Sequence, residues 1–169
     1  MQMKRHVFVA AITAGLAFVG TGRLAAKPED PMVPKWSSYH DVDSGVTAEL
    51  PRNIFAIEAG SPSIGKGHQY ATADGRALVV LFSLPNAGSE KTGSYLSRMG
   101  VPKNAKLSYS RVTHRFFAIS GRFADRIFYN RCNFSALSRD VRCVHLEYPS
   151  AEKRAWDKIV TRISWSLHG

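Results

Sequence analysis

Two runs, Asp125 to Phe134 (DRIFYNRCNF) and Asp140 to Tyr148 (DVRCVHLEY), flank the polar break Ser135 to Arg139 and are rich in aromatic and β-branched residues, so they read as a hairpin. With the loop centred between Leu137 and Ser138, residues equidistant from that centre face each other, which sets Cys132 opposite Cys143 and Asn130 opposite His145. A directly opposed non-hydrogen-bonded pair brings its Cα atoms to about 4.5 Å, within reach of a disulfide. These are the only two cysteines in the chain. The other use of such a pair, a redox dithiol, normally has Cys-x-x-Cys spacing or a helix start to depress a thiol pKa, and neither is present.

The same register sorts the side chains by face, because strand residues alternate. Ile127, Tyr129, Val144, Leu146 and Tyr148 share a core-facing side. Phe128, Asn130, His145 and Glu147 share the other side with the disulfide. His145 beside Asn130 and Glu147 is the nearest approach in this chain to an acid/base constellation. The sequence supplies no nucleophile for that histidine to serve, so the ordinary reading is a solvated strand face or polar groups hydrogen-bonded beneath a covering segment.

Outward from the hairpin, the chain continues into Pro149-Ser150. Ser150 can cap a helix from Ala151 to Leu167, with Glu152 in its first turn and an apolar stripe of Trp156, Ile159, Val160, Ile163 and Leu167. Trp165 falls on the opposite side of that stripe, where packing near Trp36 is preferred over exposure or a partner contact. Upstream, Tyr39 to Val42 and Val46 to Leu50 surround a turn at Asp43-Ser44-Gly45, and Ile54 to Glu58 is short and extended. Asp74-Gly75 joins His68–Ala73 to the apolar strand Arg76–Leu84, since this dipeptide supplies the positive φ angles of a tight hairpin turn. Ser89 can cap a short helix, Glu90 to Met99, before Gly100, and Leu107–His114 and Arg115–Ser120 add further strands. The pattern predicts an α+β fold. It is an antiparallel sandwich of about six to seven strands, with a short mid-chain helix and a long C-terminal helix packed on the sheet.

The N-terminal segment carries Lys4-Arg5-His6, then an apolar run from Val7 to Val19, and ends in small residues at Ala25-Ala26. That is the order of a signal peptide, cut between Ala26 and Lys27, and the run is short against the roughly 20 residues that span a bilayer. The expected organisation is a signal peptide at 1–26, an irregular proline-bearing leader at 27–35 and one domain at 36–169. No transmembrane helix is expected after cleavage, and the location is periplasmic or secreted. The full chain has 23 basic and 13 acidic residues, and the excised segment carries three cations and no acid. Twenty against 13 therefore leaves +7. An exported basic protein meets lipid head groups, anionic polysaccharide and acidic proteins rather than nucleic acid.

Gly60 to Gly67, GSPSIGKG, fits Gly-x-x-x-x-Gly-Lys but places Gly67 where a nucleotide-binding loop needs a hydroxyl for magnesium. An extended stretch, HQYATADG, follows in place of a helix, so the segment reads as a turning glycine loop. His40, His68, His114, His145 and His168 lack the short spacings of a zinc site, and no Gly-x-Ser-x-Gly elbow occurs. No cofactor or metal is expected. Arg98, Lys103, Lys106, Arg111, Arg115, Arg122, Arg126 and Arg131 are interrupted by a single acid, Asp125. With Trp165, they are the candidate binding residues for an anionic envelope component or a protein.

Five segments, Asp74-Gly75-Arg76-Ala77, Phe116-Phe117-Ala118-Ile119-Ser120, Arg131-Cys132-Asn133-Phe134-Ser135, Glu152-Lys153-Arg154-Ala155-Trp156 and Thr161-Arg162-Ile163-Ser164, together resemble a group of small exported alphaproteobacterial proteins of bradyrhizobial type. The likeness spans nearly all of the chain after the cut and implies no catalytic residues. The order of strands around a mid-chain and a final helix is also similar to the Mog1/PsbP-like α/β sandwiches, which are mostly binding or assembly modules. That second likeness is one of fold.

Overall fold

The computed structural model describes residues 33–99, 101–135 and 139–168, so the expected signal segment, its cut and most of the leader lie outside the described residues. The described residues form a two-stranded hairpin, β1 (Trp36–His40) with β2 (Thr47–Pro51), and a larger sheet. The larger sheet contains β3 (Ile57–Glu58), β4 (Lys66–Ala71), β5 (Leu78–Pro85), β6 (Lys106–Val112), β7 (Phe116–Phe123), β8 (Arg126–Phe134) and β9 (Asp140–Pro149). Its seven strands run in the order β3-β4-β5-β9-β8-β7-β6, and every neighbouring pair is antiparallel. Helix α1 (Thr92–Met99) packs on one face, and helix α2 (Lys153–Trp165) on the other.

The β8–β9 register is the one the cysteines require. Cys132 pairs with Cys143 and Asn130 with His145, and the disulfide closes across a Cα separation of 4.1 Å. Alternation then sends Val144, Leu146 and Tyr148 into the core beneath α2, with Ile127 and Tyr129 packed at its margin. On α2, Trp156, Ile159, Val160, Ile163 and Leu167 are all buried, and the Trp156 ring stacks on Tyr148 at 5.6 Å. The β1–β2 hairpin closes the side of this core through Val46, Ala48 and Leu50. Its backbone is tied to the chain end by reciprocal bonds between Thr47 and His168 (3.1 and 2.8 Å). The second core, beneath α1, gathers Val80, Phe82, Tyr95, Phe117 and Val141 around the buried disulfide.

Several local expectations are corrected. Ser150 does not cap α2: residues Ser150–Glu152 form a 3₁₀ turn, and the Ser150 hydroxyl accepts a hydrogen bond from Arg122 Nη2 at 2.7 Å. Glu152 instead accepts from Trp156 Nε1 at 3.1 Å and pairs with Arg76. Ser89 lies at φ 50°, and α1 begins only at Thr92, where the approach is held by Asn86 Oδ1 accepting from Glu90 N at 2.8 Å. Of the extended stretch at Ile54–Glu58, only Ile57–Glu58 pairs as a strand.

The glycine loop runs into β4 and not into a helix, so it has no helix N-terminus to face a phosphate. Its base is closed by Ala59 N donating to Gln69 O and Gln69 N to Gly60 O (2.7 and 2.9 Å). Gly67, at φ 148°, passes so close to β5 that a Cβ would overlap the Leu81 carbonyl oxygen, whereas nothing lies within 4 Å of one on Gly60 at φ 86°. Gly67→Ala is therefore expected to destabilise the fold by about 2–4 kcal/mol and Gly60→Ala by only about 1 kcal/mol in urea unfolding, because only the former adds a backbone overlap to a disfavoured φ.

The eleven-residue separation of the two cysteines also sets a scale for the cross-link. Replacing both by serine is expected to cost somewhat under about 3 kcal/mol by the loop-entropy account. Reduction of the wild type should lower the urea midpoint by a matching amount, and an unchanged midpoint would refute a stabilising role.

Candidate binding surface

Cross-strand pairing places the basic residues well enough to sort them by face. Lys106, Arg122, Ile127 and Tyr148 form one row across β6 to β9, and Arg111, Ala118, Arg131 and Val144 form another. Residues opposite one another in a ladder share a face, so Lys106, Arg111, Arg122 and Arg131 project on the side that carries α2. That helix covers β9 and the margin of β8, through Tyr129 and Arg131 hydrogen-bonded to Ser164, and leaves β7 and β6 uncovered as a shelf. A β-bulge between Leu107 and Tyr109 shifts the alternation by one residue after Lys106, which brings Tyr109 onto the same side.

Phe116 is the pivot of the shelf. The Arg131 guanidinium lies 4.4 Å from its ring centroid and that of Arg111 lies 5.5 Å away. Arg131 Nε also donates to Asn133 Oδ1 at 2.9 Å. Among the described residues, none of these four cations makes an ion pair with a carboxylate. Tyr109 remains 47% exposed beside them. Neither Tyr109 nor Phe116 stands out in the sequence. Alternation along β7 gives the face of Phe116, but the bulge that turns Tyr109 to that face leaves no local sequence mark.

The other candidates lie elsewhere. Arg98 is on α1, pairs with Glu90 at 2.9 Å and stacks over Tyr95. Arg126 lies on the α1 side of the sheet, where it donates to Glu147 Oε2 at 3.1 Å and to the Arg76 carbonyl. Lys103 sits in the turn before β6, and Arg115 sits in the β6–β7 turn with its Nε donating to His114 Nε2. Trp165, expected to pack, is instead 76% exposed. The position near Trp36 is taken by Arg162, whose guanidinium lies 4.4 Å over that ring while it makes a bidentate pair with Glu49 (2.8 and 2.7 Å). Trp165 lines an open groove of about 800 Å³ between α2 and β2, on the opposite flank of the helix from Ser164 and the shelf.

On the α1 face, His145, Glu147 and Asn130 come together as the register requires. His145 Nε2 donates to Glu147 Oε1 at 3.0 Å, and Glu147 also receives Arg126. The His145 hydrogen bond, reinforced by the charges of His145 and Arg126, holds the Glu147 carboxyl below its ordinary value despite burial. His145 and Asn130 line a small pocket of about 210 Å³ in which Ser63 supplies the hydroxyl, and no hydrogen bond joins Ser63 to His145.

No protein-family model matches the chain, and no curated protein matches it. Solved structures do. The solution structure of the cyanobacterial PsbP (CyanoP) from Synechocystis sp. PCC 6803 is 10% identical with a TM-score of 0.61, over 92% of this chain and 97% of that one. The Ran-binding protein Mog1p from Saccharomyces cerevisiae is 8% identical with a TM-score of 0.56, over 80% of this chain and 95% of that one. A structure of a Mog1 point mutant gives the same score and identity, over 79% of this chain and 95% of that one. At these identities the likeness shows a shared α+β sandwich, the fold expected from the order of elements. These matches lend no support to the bradyrhizobial resemblance.

The Glu147 geometry has a definite pH consequence. A carboxyl held below its ordinary value of 4.5 in the fold contributes stability that is present above that value and is lost as pH falls through the lower folded value. Glu147→Gln is expected to flatten this part of the acid limb in urea midpoints collected from about pH 6 downward, over about three units of pH. An acid limb of unchanged slope would mean that the ion cluster contributes nothing.

Proposed function

We propose that the protein is an exported, non-enzymatic binding or accessory module that takes an anionic partner on the β6–β7 shelf. The observation that carries this reading is the set of four cations on one face, Lys106, Arg111 and Arg122 on the uncovered strands and Arg131 at the margin of α2, with two aromatic rings among them and, among the described residues, no carboxylate bonded to any of them. Cations left unneutralised and adjacent create a local positive potential that raises the local concentration of anions and speeds their encounter. The disulfide fits an oxidising compartment, and the N-terminal charge and hydropathy pattern supports export to the periplasm or beyond. One similar structure is of a Ran-binding protein, which supports a binding role for this sandwich as an analogy of fold.

A second reading, a periplasmic enzyme of hydrolase type, has in its favour the His145–Glu147 pair at the edge of a pocket with Asn130. It lacks an activated nucleophile among the described residues, since Ser63 is not hydrogen-bonded to the histidine.

Retention on a sulfated-polysaccharide matrix, eluted by a salt gradient, tests the shelf. The double variant Arg111→Glu with Arg122→Glu is expected to weaken binding by about tenfold or more at low salt. Lys66→Glu with Lys91→Glu, which changes net charge equally at positions off the shelf, should elute close to the wild type. Trp165→Ala should also elute with the wild type, because its ring lines the groove on the other flank of α2. Equal loss in both charge-reversed variants would mean that net charge alone, and not the shelf, governs binding.

A further inference from the structure

The shelf ends in an open sheet edge. Strand β6 is the last in the order of the seven, so among the described residues no strand pairs with its outer side, and all seven of its residues are exposed. The N–H and C=O groups along such an edge are a template for a further strand. Which of them face outward follows from the turn into β7. Thr113 N donates to the Phe116 carbonyl at 2.8 Å, so the Thr113 amide faces β7, and alternation along the ladder gives the backbones of Arg111 and Tyr109 the same direction. Ser110 and Val112 therefore turn their N–H and C=O groups away from the sheet.

The side chains of this edge differ between its two faces. Lys106, Tyr109 and Arg111 lie on the α2 side with the rest of the shelf. Val112 pairs with Phe117 of the core beneath α1 and lies on that side, where a Cβ on Gly93 would come to 4.0 Å from its Cγ1. Leu107, opposite Gly121, shares the α1 side, because Gly121 packs against the Phe128 ring there. Both stay open, Leu107 at 49% and Val112 at 46% exposure. A strand added to β6 runs about 4.8 Å from it and shares its faces, so alternate side chains of the newcomer meet the cations and the apolar pair. A second copy of β6 suits this edge poorly, because antiparallel pairing would bring its own arginine and lysine onto the face of Arg111 and Lys106. A polysaccharide anion would meet the cations but neither the apolar pair nor the outward backbone groups.

We propose that the anionic partner of the shelf is an extended acidic polypeptide segment that joins β6 antiparallel as an eighth strand, its carboxylates on the side of Lys106 and Arg111 and its alternate, apolar side chains beside Leu107 and Val112. This rests on the reading of the shelf as an anion site and names its occupant. In the antiparallel geometry, partner residues opposite Ser110 and Val112 form the hydrogen-bonded pairs and share their face. The partner's apolar residues therefore carry the N–H groups that donate to β6, while the N–H groups of its acidic residues point away. Arg122 and Arg131 lie one and two strands further in, where they add to the attracting field.

That division of N–H groups gives the test. A short capped peptide alternating valine with glutamate, titrated into the full exported chain, is expected to shift the amides of Tyr109, Ser110, Arg111 and Val112. N-methylation of its valines should weaken binding by about tenfold or more, whereas N-methylation of its glutamates should change it by less than about twofold. Ser110→Pro removes an outward N–H without touching the β6–β7 ladder, so it should weaken the peptide and still elute with the wild type from the sulfated matrix. The methylated pair on the wild type stands on its own if that variant does not fold. Equal binding of the two methylated peptides would overturn the added strand, as would no shift at millimolar peptide or tighter binding of a sulfated oligosaccharide than of the peptide. Equal methylated peptides with the matrix loss confined to Arg111→Glu with Arg122→Glu would remove the strand and leave the shelf. Equal matrix loss in both charge-reversed variants, with binding still sensitive to valine methylation, would remove the shelf and leave the edge.

Discussion

The register of β8 against β9 governs the arrangement of this fold. Because side chains alternate along a strand, a slip of one residue would turn Val144, Leu146 and Tyr148 away from α2 and push His145 and Glu147 into the main core. The disulfide at Cys132 and Cys143 opposes that slip directly, since the two half-cystines can join only where they face one another. Since β9 is the middle strand of seven, bonded to β5 on one side and β8 on the other, its orientation passes outward through both neighbours. The rows that run from Lys106 to Tyr148 and from Gln69 to Asn130 are consequences of that one alignment.

The alignment also divides the sheet into faces of different character. Helix α2 covers only part of the sheet, so the α2 side has a buried part, built on Val79, Leu81, Val144 and Leu146, and a part on β6 and β7 that the helix leaves uncovered. Polar groups are handled differently in the two settings. On the α1 side, Glu147, Arg126 and His145 neutralise and orient one another while roughly a fifth to a quarter of each side chain stays exposed (22%, 25% and 21%). On the shelf no such mutual neutralisation occurs among the described residues, and the arginines are held instead by a ring and by neutral hydrogen-bond acceptors.

Legibility in the sequence follows the range of the interactions. The hairpin at Asp125 to Tyr148, its disulfide and the gathering of Asn130, His145 and Glu147 are readable because all depend on one short connection and on alternation. The stripe on α2 is readable for a similar reason, being set by helical period alone. The fate of the basic set is not. Arg122 and Arg126 are four residues apart in the chain, yet a turn separates them and they emerge on opposite faces, while Lys106 and Arg111 share a face only because of the bulge after Leu107. Ser150 and Ser89 have the composition of helix caps, but tertiary partners and backbone geometry take precedence: Arg122 occupies the Ser150 hydroxyl, and Ser89 adopts a left-handed turn. Trp165 departs from its expected packing because the place beside Trp36 is filled by an arginine from the same helix, which only the docked hairpin reveals.

The way the shelf holds its arginines bears on what it can do. An arginine fixed by a carboxylate has its charge offset and its donors occupied, so it offers little to a third party. Stacking on Phe116 instead fixes the plane of Arg131, and more loosely that of Arg111, through the ring quadrupole, at about 0.5–1 kcal/mol for an exposed contact. The net charge is untouched, because Phe116, Asn133 and Ser164 carry none. Arg122 is likewise positioned by the neutral Ser150 hydroxyl and the Ala124 carbonyl. Long cationic side chains lose rotamer entropy when they are captured by a ligand, and chains already held in place lose less. A cation set by aromatic and neutral contacts is thus both charged and partly ordered before any anion arrives, a combination that carboxylate pairing would remove.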